Sequence, residues 1–73
     1  MYEKYSNRRD DLGLTDYKVS QMSGVSTATL SEWKKHHLTH GEQGYRPKIE
    51  KLTAIAKAVD MDIVDLLREW KYV

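Results

Sequence analysis

The residues best suited to chemistry in this chain are Thr27, Ala28, Ser31 and Glu32, just after Gly24 and Ser26. A hydroxyl donates or accepts a hydrogen bond, an alanine methyl packs on a thymine methyl, and a carboxylate accepts from a cytosine amino group. Such groups suit the base edges of a duplex. The set has no Arg, Asn or Gln fork. Each base pair read this way therefore contributes toward the low end of about 1–3 kcal/mol, and duplex shape carries more of the selectivity. Lys34, Lys35, Arg46 and Lys48, with Lys18, Ser26 and Thr29, are the candidates for phosphate oxygens. From Lys34 to Lys48, four cations against Glu42 leave a formal charge of +3. The competing reading is an ordinary solvated charge run for the cations and a solvated helix start for Thr27 and Ser31.

Two short amphipathic helices must position these groups. Thr15 can cap the first, over Asp16 to Met22 or Ser23, and Gly24 stops it by taking a left-handed conformation. Ser26 restarts the chain as an N-cap, and a helix over Thr27 to about Lys35 buries Leu30 and Trp33 against Val19 and Val25. Its other face is left outward. Ahead of the pair, a helix over Tyr2 to Leu12 turns Tyr2, Tyr5 and Leu12 inward and closes at Gly13. After it, a polar loop over His36 to Arg46 contains Gly41 and Gly44, and Pro47 begins a helix to Val59. Ile49, Leu52, Ile55, Ala56 and Val59 repeat there at helical spacing, the strongest core signal in the chain. Asp62 can cap a last helix to about Tyr72 with the stripe Ile63, Leu66, Leu67 and Trp70. Nowhere does apolar alternation extend over a strand length, so the class is all-α.

Seventy-three residues, 40% hydrophobic, suit one small domain spanning 1–73. There is no cysteine, so stability must come from packing and not from disulfides or thiolate metal sites. The apolar runs are too short for a membrane span or a secretory leader, and a cytoplasmic protein is expected. Charge is divided: Met1 to Val59 carry ten Lys/Arg against seven Asp/Glu, whereas Asp60 to Val73 carry two against four. A glycine-rich phosphate loop, a serine elbow and a carboxylate pair in an apolar pocket are all lacking, so neither an enzyme nor a cofactor or small-molecule substrate is expected. His36 and His40 could share a helical face, but with no cysteine and only Glu42 close by, no metal site is expected. These histidines and His37 are read as touching the DNA backbone or facing water. Trp33, Trp70, Tyr5, Tyr17 and Tyr45 are read as core and rim.

Four segments in order, GLT at Gly13 to Thr15, GVS at Gly24 to Ser26, LSEWKK at Leu30 to Lys35 and PKIEKLTAIAKAVDMDIVDLL from Pro47 to Leu67, carry a resemblance. Over about Met1 to Leu67 the chain resembles the helix-turn-helix family of phage lambda repressor and Cro, which includes small regulators of phage and mobile elements. The resemblance implies a compact five-helix DNA-binding domain that inserts its third helix in the major groove, with base contacts chiefly at Thr27, Ala28 and Glu32. It implies a sequence-specific transcriptional regulator, a repressor of a phage or mobile-element operon, whose partner is double-stranded DNA. The rival reading is a protein-interaction module, antitoxin-like or anti-repressor-binding, using the same surface.

Several positions depart from the family pattern. Ser20 and Ser23 replace the usual alanine or leucine, and Arg8 replaces a leucine of the first helix, its stem over the core and its guanidinium toward water. Asp16 stands where relatives often place a phosphate-touching glutamine, so that contact is not expected here. The loop before Pro47 is several residues longer than usual. The chain runs past the resemblance as REWKYV. Leu66, Trp70, Tyr72 and Val73 are therefore candidates for a twofold dimer reading a roughly palindromic operator, the alternative being Trp70 folded back on the first helix.

Overall fold

The computed structural model describes residues 1–40 and 47–68, and these form five helices: α1 (Tyr2–Asp11), α2 (Asp16–Ser23), α3 (Thr27–His40), α4 (Ile49–Ala58) and α5 (Ile63–Leu67). No strand occurs among the described residues. α2 packs on α3 and α4, α4 on α5, and α1 on α3. One core runs through all of them: Tyr2, Tyr5, Val19, Val25, Leu30, Trp33, Leu52, Ile55, Ala56, Val59 and Leu66. Burying a side chain of Val, Leu, Ile or Phe size stabilises by about 1.5–3 kcal/mol, so this one cluster is the main source of stability.

Chain reversals are closed as local chemistry dictates. After α1, the Leu14 N–H donates to Arg9 O (3.0 Å) and the Gly13 N–H to Asp10 O (3.0 Å), with Gly13 at φ 70°. This double closure needs a left-handed residue, which glycine supplies without a Cβ clash. α4 ends the same way around Asp60 (φ 53°), with Met61 N–H donating to Ala56 O (2.8 Å) and Asp60 N–H to Lys57 O (3.1 Å).

α1 has a thin apolar face, and two cations complete its docking. Lys4 Nζ donates to Asp65 O (3.0 Å) of α5. Arg8 Nε donates to Val59 O (3.1 Å) and its Nη2 to Asp60 O (3.4 Å), at the end of α4. Carbonyls at a helix C-terminus carry partial negative charge, so donors one turn apart on α1 bind them from outside, the Asp65 carbonyl accepting from the Arg68 N–H (3.4 Å) as well. The Arg8 guanidinium thus binds carbonyls rather than simply reaching water.

Five expectations about burial and extent are corrected. Leu12, at 41% exposure, and Ile49, at 54%, face outward, the one just past the end of α1 and the other at the first position of α4. α3 does not stop near Lys35 but continues through His40, so residues 36–40 are helical and not loop. No breaker precedes Gly41. Tyr17, expected in the core or rim, is 65% exposed. Leu66, expected on a dimer surface, is fully buried, because α5 turns it onto the core. Residues 41–46 of the expected loop and the last turns of the final helix, with Tyr45, Trp70, Tyr72 and Val73, lie outside the described residues.

Candidate functional site

The site is built on the α2–α3 pair. Thr15 caps α2 as its spacing predicts, its hydroxyl accepting from the Lys18 N–H (3.1 Å). Gly24 follows at φ 78°, its N–H donating to Ser20 O (2.9 Å). Ser23 Oγ accepts from the Val25 N–H (3.1 Å), so this hydroxyl serves the turn while Val25 goes into the core. Ser26 Oγ then accepts from the Thr29 N–H (3.2 Å) and lies 3.0 Å from Thr29 Oγ1. That bond satisfies one of the free donors of α3.

Leu30 and Trp33 fix the orientation of α3. Both are buried. Trp33 packs edge-on to Tyr2 (ring centroids 5.1 Å apart) and stacks on Tyr5 (5.4 Å), geometries that add to simple area burial. At 100° per residue, Ala28, Glu32 and Lys35 then project from the opposite side, with Ser31 and Thr27 on one flank. Thr27, Ala28, Ser31, Glu32, Lys34 and Lys35 are all exposed, as are Lys18 on α2 and Lys48 before α4. Ser26 is exposed and Thr29 half-buried, each already engaged with the other. Arg46 lies outside the described residues.

Asp16 has a role that residue spacing does not reveal. Its Oδ1 accepts from the Tyr5 hydroxyl (2.6 Å) and from Arg9 Nη1 (2.7 Å), tying α1 to the first turn of α2. Arg9 also donates to Asp10 (3.0 Å) and Ser6 (3.2 Å). Burial pushes the Tyr5 pKa well above the usual phenol value, and the bond to Asp16 pushes it further, because a phenolate would sit beside a carboxylate. Burial likewise raises Tyr2. Burial opposes the charge on Arg9, but the bonds to Asp16 and Asp10 outweigh it and move its pKa upward.

Two features of the exposed surface escaped the sequence reading. Gln21 Nε2 donates to the Tyr17 hydroxyl (2.9 Å), making a polar pair on the outer side of α2. The signal was available, since Tyr17 lies two residues before the buried Val19 and so on nearly the opposite side of a helix. The helical extension of α3 also sets His36 Nε2 3.3 Å from Glu32 Oε2 and His37 Nε2 3.5 Å from Glu3 Oε1, with the His37 ring against Tyr2.

Open depressions of about 360 and 320 Å³ lie beside Thr53, Lys57 and Met61 and beside Met22, Ala54 and Ala58, away from the outward residues of α3. Among the described residues, no three His, Asp or Glu side chains are placed to hold a metal ion, and no helix is long and apolar enough to cross a membrane. No protein-family model, curated protein or solved structure matches this chain.

Proposed function

We propose that the chain is a sequence-specific DNA-binding transcriptional regulator, a repressor of a phage or mobile-element operon, in a lambda-repressor-like helix-turn-helix domain that inserts α3 in the major groove. One observation carries the reading: Thr27, Ala28, Ser31 and Glu32 are all exposed on a helix whose opposite side is locked by Leu30 and Trp33. An outward helix that carries Lys34 and Lys35, with Lys18 exposed on α2 and Lys48 exposed before α4, suits a groove about 12 Å wide bordered by phosphates. The hydroxyls, methyl and carboxylate meet base edges, and the lysines hold register on the backbone. Leu66 is withdrawn from any dimer contact because it is core. A twofold arrangement through α5 would use exposed Val64 instead, and would set half-sites about 34 Å apart.

Selection of bound sequences from a random duplex pool, followed by affinity measured across a salt series, tests the proposal. One enriched motif and a steep fall of affinity with salt are expected. A failure to enrich any motif overturns it. An affinity for a protein partner that ignores salt would favour the interaction-module reading of the same surface.

A further inference from the structure

Glu32 is the one acid among the four outward residues of α3, and in a groove it would approach a wall of phosphates. Its Oε2 lies 3.3 Å from Nε2 of His36, one turn onward. Lys34 and Lys35, nearer in sequence, form no ion pair with it, so His36 is its partner among the described residues. Both side chains remain accessible, at 55% and 36% exposure. Resting on the DNA-binding reading above, we propose that His36 is a positioning residue for Glu32 and thereby sets the base that Glu32 selects.

The chemistry is directional. Glutamate four residues before a cation is the favourable order on a helix. Engaging Oε2 with the imidazole restricts a flexible side chain and leaves Oε1 to accept the amino proton of a base, which cytosine presents in the major groove. A protonated imidazole also offsets the repulsion between this carboxylate and the phosphates, whereas a neutral one offers at most a hydrogen bond. Selectivity through Glu32 is therefore stronger when the imidazole carries a proton than when it is neutral. On its own helix, His36 faces Glu32, and its backbone carbonyl accepts from Thr39 (3.3 Å). From α1, the acid that approaches this part of α3 is Glu3, which meets the neighbouring His37.

The test selects duplexes with the wild-type chain and with His36→Gln, His36→Lys and Glu32→Gln, at an acidic pH of about 5.8 and an alkaline one of about 8. Thermal melting by circular dichroism confirms that each variant is folded. The wild type should show one base pair preferred about fivefold more strongly at the lower pH, the low end for a single base contact. His36→Lys should hold that preference at both pH values, His36→Gln should lose it at both, and Glu32→Gln should lose it regardless of pH. A His36→Gln variant with the wild-type preference and pH profile overturns the inference, and so does a His36→Lys variant that keeps the pH dependence, should His36→Gln fail to fold. If the wild type enriches no motif, the DNA-binding reading itself falls and this inference with it. A motif indifferent to His36 sinks the inference alone.

Discussion

Replacing Asp16 by alanine leaves the Tyr5 hydroxyl, fully buried with its ring, without its acceptor, and strips Arg9 of its shortest ion pair. A hydrogen bond to a charged group contributes about 1.5–3 kcal/mol. The Arg9 contact is discounted because Arg9 keeps Asp10 and Ser6 and is partly solvated. Losing a carboxylate from the first turn of α2 adds about 0.5 kcal/mol through the helix dipole. The expected cost of Asp16→Ala is thus about 2–3 kcal/mol, a large share of the roughly 4–11 kcal/mol typical for a chain of 73 residues. Tyr5→Phe alone should cost about 1 kcal/mol. With both changes the orphaned hydroxyl no longer exists, so the double variant should be less destabilised than the two singles summed, by about 1–2 kcal/mol. Urea unfolding, followed by circular dichroism and by tryptophan fluorescence, to which Trp33 stacked on Tyr5 contributes alongside Trp70, measures all four corners of the cycle. A coupling below about 0.3 kcal/mol would refute the claim that this bond holds α1 to α2.

The raised Tyr5 and Tyr2 pKa values make the folded state bind protons more tightly than the unfolded state. Their contribution is complete below about pH 10 and declines above it, by up to about 1.4 kcal/mol per pH unit for each group. Tyr5→Phe should flatten this alkaline limb in denaturant titrations, and an unchanged limb would contradict the assignment. Gly24→Ala should destabilise by about 1–2 kcal/mol from its positive φ alone, since a Cβ there meets no atom within 4 Å. Asp60→Gly should do the reverse, raising the melting temperature, because Asp60 occupies the same left-handed region and its ion pair to Arg8 is long (3.7 Å) and exposed. Lys35→Ala should weaken binding to every duplex alike and reduce the slope of log affinity against log salt by about one, a change readable by fluorescence anisotropy.

Neighbours along the chain carry information that a reader of residues can recover. Thr15 and Ser26 cap, Gly13 and Gly24 turn, and Leu30, Trp33, Leu52, Ile55, Ala56 and Val59 mark buried faces, because capping, left-handed conformation and the 3.6-residue period each operate within a few positions. The outward set on α3 follows from the same period once Leu30 and Trp33 point inward. Contacts between distant segments were hidden. Asp16 meets Tyr5 across 11 positions, Arg8 meets Val59 across 51 and Lys4 meets Asp65 across 61, and no local pattern encodes which acid or carbonyl a cation will find. Which side of α5 is buried was likewise settled by packing, since Leu66 is apolar whether it faces the core or a second protein. The helical run from His36 to His40, by contrast, is a local matter, because no breaker precedes Gly41. An apolar side chain states that it will be covered, and the assembled helices supply what covers it.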